Sequence, residues 1–323
     1  MGEKIVKKTF ALGLLLTSLT TFGGDLKKEF NSNCSRMRIE KEAVNFKDYK
    51  IIFLRGIFNN FVSNLAQTLT RLGIPLPPGK YEPLVNDIKL LRSFGIDASL
   101  APTKTEEAAY KNGLILARTI EKSDKPVIII SHSKGGVDAL YGLTFYSHIH
   151  HKVAGWINLQ APIHGTRLAD YFLGNKSLYS PLKFLLEGIM GGETKAFEDL
   201  TISNMEKFHR INKKKIAMIV KAFPVLSVGS KFDISPVGLD LFKPLNQRSA
   251  FEILNRALIE LGGGPNDGFT AITKTCLKGD YCLILDNIDH ASLVVSLEPF
   301  HTLDLNKRTK IILSLLKMLK ARM

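Results

Sequence analysis

Pro126-Val127-Ile128-Ile129-Ile130-Ser131-His132-Ser133-Lys134-Gly135-Gly136 is the segment from which the rest of this chain can be read. Its first half is a continuous β-branched run after a proline, as expected of a strand covered on both faces. Its second half places Ser133 between small residues two positions before and two after, and Val137, Leu140 and Tyr141 then recur at helical spacing. Strand, tight turn and helix with a serine at the apex describe a nucleophile elbow, where bulky neighbours would collide with the adjoining strand and helix. The first small position is usually Gly; here it is Ser131.

Around this segment, short apolar runs alternate with amphipathic stretches. Strands are predicted at Ile51–Leu54, Ala98–Ala101, Val153–Leu159, Val225–Val228 and Cys282–Leu285. Helices are predicted over Asn59–Leu72, Pro83–Phe94, Thr105–Glu121 with a cap signal at its start, and Lys307–Arg322. This rhythm argues for an α/β fold with a mainly parallel sheet flanked by helices. Residues 168–222 show no clear strand, carry a helical piece at Ser180–Met190 and end in a basic patch, Lys207, Arg210, Lys213, Lys214 and Lys215. An insertion of this size reads as a helical lid or cap, the alternative being a pair of packing helices.

A serine hydroxyl needs a base, and a carboxylate to orient that base, in the chain order Ser, acid, His. His290 follows the Cys282–Leu285 run and precedes an apolar segment, the strand-end position where parallel sheets place chemistry. His132 should point away from the site, and His148, His150 and His151 read as a surface cluster. For the acid, Asp267 lies in Gly262-Gly-Gly-Pro-Asn-Asp267-Gly268, a loop that brackets the same strand as His290; Asp233 is the competitor. An oxyanion would be held by the backbone N–H groups of Lys134 and of Ile57, in the loop after the first strand.

Four ordered segments resemble the secreted bacterial triacylglycerol lipases of the α/β-hydrolase fold. They are Ile51-Ile-Phe-Leu-Arg-Gly-Ile57, Ser131-His-Ser-Lys-Gly-Gly136, Ile157-Asn-Leu-Gln-Ala-Pro-Ile-His-Gly-Thr-Arg-Leu-Ala-Asp-Tyr171, and Gly264-Pro-Asn-Asp-Gly-Phe269 with Asp289-His-Ala-Ser292. The resemblance implies hydrolysis of carboxylic esters with lipid-like substrates. It supports Asp267 over Asp233 and makes His164 structural. Two positions depart from the family: Arg55-Gly56 stands where His-Gly is usual, and Ala291 and Ser292 stand where an Asp would ligate calcium, so neither metal nor cofactor is expected. The same triad would serve an acyltransferase, a phospholipase or a polyester depolymerase; a non-catalytic binding protein is the remaining reading.

Residues 1–24 combine Lys4, Lys7 and Lys8 with a short apolar run and Gly23-Gly24, the pattern of a signal peptide, which implies a periplasmic or secreted protein. Residues 25–44 read as a solvated leader to the domain at 45–323. Cys276 and Cys282 flank a turn and can pair, an arrangement suited to an oxidising compartment, leaving Cys34 over. The formal net charge of +14 suggests an anionic partner, nucleic acid or a membrane surface, or nothing specific. No nucleic-acid motif is present, so the expected partners are a lipid or ester substrate and an anionic membrane surface.

Overall fold

In the computed structural model the apolar runs pair into one sheet. The structure describes residues 25–57, 84–175, 194–233, 247–295 and 303–323. The strands are β1 (Lys50–Leu54), β2 (Asp97–Leu100), β3 (Val127–His132), β4 (Val153–Leu159), β5 (Val225–Lys231) and β6 (Tyr281–Asp286). They are arranged β2-β1-β3-β4-β5-β6, and every pair is parallel. The helices that flank the sheet include α1 (Val85–Ser93), α2 (Ala109–Glu121), α3 (Lys134–Phe145), α4 (Arg167–Gly174), α5 (Ile202–Ala222), α6 (Gln247–Glu260) and α7 (Leu305–Lys320).

Because strand side chains alternate, the four central strands β1, β3, β4 and β5 each feed two cores. Ile51, Phe53, Ile128 and Ile130 face one layer, where they meet Leu313, Leu316 and Leu319 of α7. Ile52, Leu54, Ile129 and Trp156 face the other, against Leu116 of α2, Leu140 of α3 and Ile219 of α5. All six residues of β3 are buried, as its unbroken apolar run requires. Helices α2 and α3 meet backbone to backbone: a Cβ on Gly113 would lie 2.7 Å from the Gly142 nitrogen. Between α1 and α7, Arg308 and Asp87 form a buried ion pair at 3.0 Å.

Between β1 and β3 the chain reverses its direction across the sheet, and such a switch point opens a crevice at the carboxyl ends of the strands. The elbow after β3 and the loop after β1 both lie there.

Several elements differ from the sequence reading. Residues 25–35 are helical and bury Leu26 and Phe30 in the α7 layer, so 25–44 is not a solvated leader. The apolar spacing was masked in the sequence by intervening Lys, Glu and Asn. Helix α2 starts at Ala109 and not at Thr105; its first N–H is capped by the Asp199 carboxylate at 2.8 Å, from 90 residues further on. Within 168–222, α5 packs Met205, Phe208, Ile216 and Ile219 into the α3 layer, as a crossover helix does. It kinks at Asn212, whose side chain bonds the Phe208 carbonyl. Cys276 and Cys282 form a disulfide, though Cys276 follows a short 3-10 turn and lies on no strand. Residues 1–24 and the helices predicted at Asn59–Leu72 and Ser180–Met190 lie outside the described residues.

Candidate active site

Ser133 sits at the junction of β3 and α3 with φ 54° and ψ −130°, a conformation costly for a non-glycine residue. Close packing imposes it. A Cβ on Gly135 would lie 2.7 Å from the Arg55 carbonyl oxygen and 2.8 Å from that of Leu54, so α3 can approach the end of β1 only without a side chain there. Ser131, in the position where Gly is usual, is fully buried, and its hydroxyl is satisfied. The Trp156 indole N–H donates to it at 2.8 Å, and the hydroxyl donates to Asn158 Oδ1 at 3.2 Å.

The three residues selected from sequence converge. Ser133 Oγ lies 2.8 Å from His290 Nε2, and His290 Nδ1 lies 2.9 Å from Asp267 Oδ2. A carboxylate can only accept, so Nδ1 carries the imidazole proton and the Nε2 lone pair faces the serine hydroxyl. Asp267 is fully buried; its Oδ1 accepts the backbone N–H groups of Phe269 at 2.9 Å and Thr270 at 2.7 Å, which fix the carboxylate plane. Asp233 stays exposed at the end of β5 and borders a separate hollow with Asn255 and Pro265.

Lys134 begins α3, so its N–H has no partner within the helix. Its side chain runs into the core, where Nζ meets Asp138 at 2.6 Å and Asn112 donates to the same carboxylate at 2.9 Å. Burial still pushes the Asp138 carboxyl up to about 6. Ile57 and Gly56 border the same cavity as Ser133 and His290, and a Cβ on Gly56 would fall 2.7 Å from the Ser133 Cβ. That cavity measures about 400 Å³, and Leu168 and Phe172 of α4, Phe197, Phe251 of α6, Phe269 and Val294 make its walls apolar. The segment expected to form a lid thus contributes Leu168, Phe172 and Phe197 to the wall; 176–193 is outside the described residues.

His132 corrects the expectation that its ring points away. Its Nε2 bonds the His290 carbonyl at 2.7 Å, and the two rings lie 4.9 Å apart. Burial, with His290 beside it, lowers its pKa to about 3, so the ring is neutral and donates Nε2–H to that carbonyl. His164 bonds the Cys276 carbonyl and stacks on His209 at 4.3 Å, away from Ser133; burial and the neighbouring ring lower its pKa to about 4.

Two further residues have roles that the sequence reading does not assign, Asp289 being set aside there as too near His290 to orient it. Gln160, at φ 52° just past β4, donates to the Asp289 carbonyl at 2.9 Å, and its own carbonyl accepts the Thr270 hydroxyl at 3.0 Å. It therefore joins the Asp267 loop to the His290 loop. Asp289 accepts the N–H groups of Ala291 and Ser292, both at 2.9 Å, and so shapes the turn that holds His290. Only the Gln-Ala-Pro sequence after β4 hinted at a special position.

A scan against protein-family models and a search of curated proteins return no match. Solved structures do match. A metagenomic carboxyl esterase aligns at TM-score 0.60 and 15% identity, covering 85% of this chain and 76% of that one. A Bacillus licheniformis lipase in mature form aligns at TM-score 0.53 and 22% identity, over 75% of this chain and 85% of its own. The fold is that of the α/β-hydrolases. A third α/β-hydrolase neighbour, lipase 1 from Pelosinus fermentans, aligns at TM-score 0.51 and 12% identity over 83% and 98% of the two chains.

Proposed function

We propose that this α/β-hydrolase cleaves carboxylic esters with apolar acyl groups through an acyl-enzyme. The observation that carries the reading is the continuous chain Ser133–His290–Asp267, at 2.8 and 2.9 Å, opening into the apolar cavity.

Ser133 Oγ attacks the ester carbonyl while His290 Nε2 takes its proton, and Asp267 holds the imidazolium. The oxyanion is received by the N–H groups of Lys134 and Ile57, and the positive end of α3 favours the charge there. As the carbonyl reforms, His290 returns the proton to the departing alcohol, leaving Ser133 acylated. Water, deprotonated by His290, then releases the acid and regenerates the serine. The phenylalanine-lined wall supports an acyl chain in preference to a charged group, since an ion would lose its hydration there without a partner.

Export to the periplasm or the exterior belongs to the same proposal. The lysine-flanked apolar run near residue 10 and the Cys276–Cys282 disulfide both support it.

Ser133→Ala should lower turnover of a nitrophenyl ester by on the order of 10⁶ and abolish labelling by a fluorophosphonate. Retained activity with unaltered folding would remove the assignment. A series of esters of increasing chain length, measured below and above substrate aggregation, separates the two neighbouring activities. A rate jump at aggregation indicates a lipase, and a preference for short soluble chains a carboxylesterase.

A further inference from the structure

The outward face of α5 carries a composition that ester hydrolysis at Ser133 does not use. While Met205, Phe208, Ile216 and Ile219 are buried, Lys207, Arg210, Lys213, Lys214, Lys215 and Lys221 stand exposed. Glu206 is the one acidic residue in the helix. Among the described residues none of the six cations is in an ion pair.

Two large apolar side chains interrupt this basic surface. Ile211 is 67% exposed and Met218 is 53% exposed. On either side of the kink at Asn212, Lys207 with Ile211 and Lys214 with Met218 and Lys221 recur at four- and three-residue steps, which places each set along one stripe of its helical segment. Beside them, Phe145 at the end of α3 is 46% exposed, with Lys215 Nζ 5.3 Å from its ring centre.

Unpaired cations on a helix surface are suited to anionic headgroups, and apolar side chains among them are suited to the boundary with the acyl chains. A single-stranded nucleic acid would instead call for stacking aromatics along a groove, and Ile211 and Met218 would be wasted against a phosphate backbone. We propose that α5 is a docking surface for an anionic lipid bilayer. Lys207, Arg210, Lys213 and Lys214 meet headgroup phosphates, and Ile211 and Met218 enter the interface.

The docking helix is joined to the cavity wall. Its first N–H, that of Ile202, is held by the Asp170 carboxylate of α4 at 3.2 Å, and α4 also carries Leu168 and Phe172 of the cavity lining.

Full-length protein should co-sediment with vesicles of phosphatidylglycerol and phosphatidylcholine, and not with phosphatidylcholine alone. Lys207→Gln, Arg210→Gln, Lys213→Gln and Lys214→Gln together should cut binding at least about tenfold. Ile211→Ser with Met218→Ser should weaken it by about tenfold while preserving its dependence on salt. Both sets should leave turnover of a soluble short-chain ester and the circular dichroism spectrum unchanged. Binding indifferent to lipid charge, or unaltered in both sets, overturns the proposal. So does binding to duplex DNA in preference to vesicles. Docking needs no turnover, so Ser133→Ala protein should bind vesicles like the wild type; if no ester is cleaved yet vesicles are bound, only the hydrolase reading fails.

Discussion

The two halves of the candidate active site are built by different physics. Ser133 is placed by the backbone, at the end of a fully buried strand whose neighbours at Gly56 and Gly135 leave no room for a Cβ. His290 and Asp267 sit on loops beyond β5 and β6 and are placed by polar bonds from Gln160, Asp289, His132 and the Thr270 N–H. Steric placement is local and therefore leaves a pattern in consecutive residues. Polar placement is distributed: the bond from His132 to His290 spans 158 positions.

After the loss of Ser133 itself, the largest expected effect breaks the polar half. Asp267→Asn should lower kcat by about 10⁴, because the amide disturbs the tautomer that Ser133 needs, while Asp233→Asn should leave it unchanged. Steady-state kinetics on one soluble ester checks both. Gly135→Val attacks the steric half and should cost more than about 4 kcal/mol, since its Cβ meets backbone carbonyls that cannot rotate away. Chemical denaturation, or failure to recover soluble protein, reads that loss.

Smaller changes sharpen the contrast. Ser131→Gly restores the usual small residue yet strands the buried Trp156 indole, so it should destabilise by about 1–3 kcal/mol and leave kcat nearly intact. If it stabilises the protein instead, the hydroxyl is not needed there. His132 gives a pH effect. Its folded pKa, about 3, lies below its ordinary value of 6.5, so the unfolded chain binds the extra proton first. Its contribution to stability is whole above about 6.5 and is lost as pH falls towards 3. His132→Gln should flatten the acid side of the stability profile, measured as urea midpoints across that interval, and an unchanged slope would contradict the assignment.

This contrast also explains what the chain discloses. All six strands were legible from short runs rich in apolar residues, unbroken in β1, β3 and β6 and interrupted by Ser99, Asn158 and Ser227 in the others, and the elbow was legible because its small residues lie within five positions of one another. Asp267 and His290 could be selected because each follows or precedes a recognisable strand. His132 could not be oriented from sequence, since its direction depends on a carbonyl in another loop. Gln160 needed a positive φ that its residue type does not advertise. The helix over 25–35 was missed because Leu26 and Phe30, at four-residue spacing, stand among charged neighbours and find their layer only through α7.

The Asp199 cap on α2 has a temporal side. During synthesis the N-terminal turn of that helix lacks its acceptor until residue 199 has left the ribosome, by which time β3, α3 and β4 have already emerged. Pairing over such a separation carries a loop-closure cost that local contacts do not. Helix α2 therefore gains the acceptor for its first N–H only when the segment bearing Phe197 arrives. The same segment brings Asp199 to the start of that helix and Phe197 to the cavity wall.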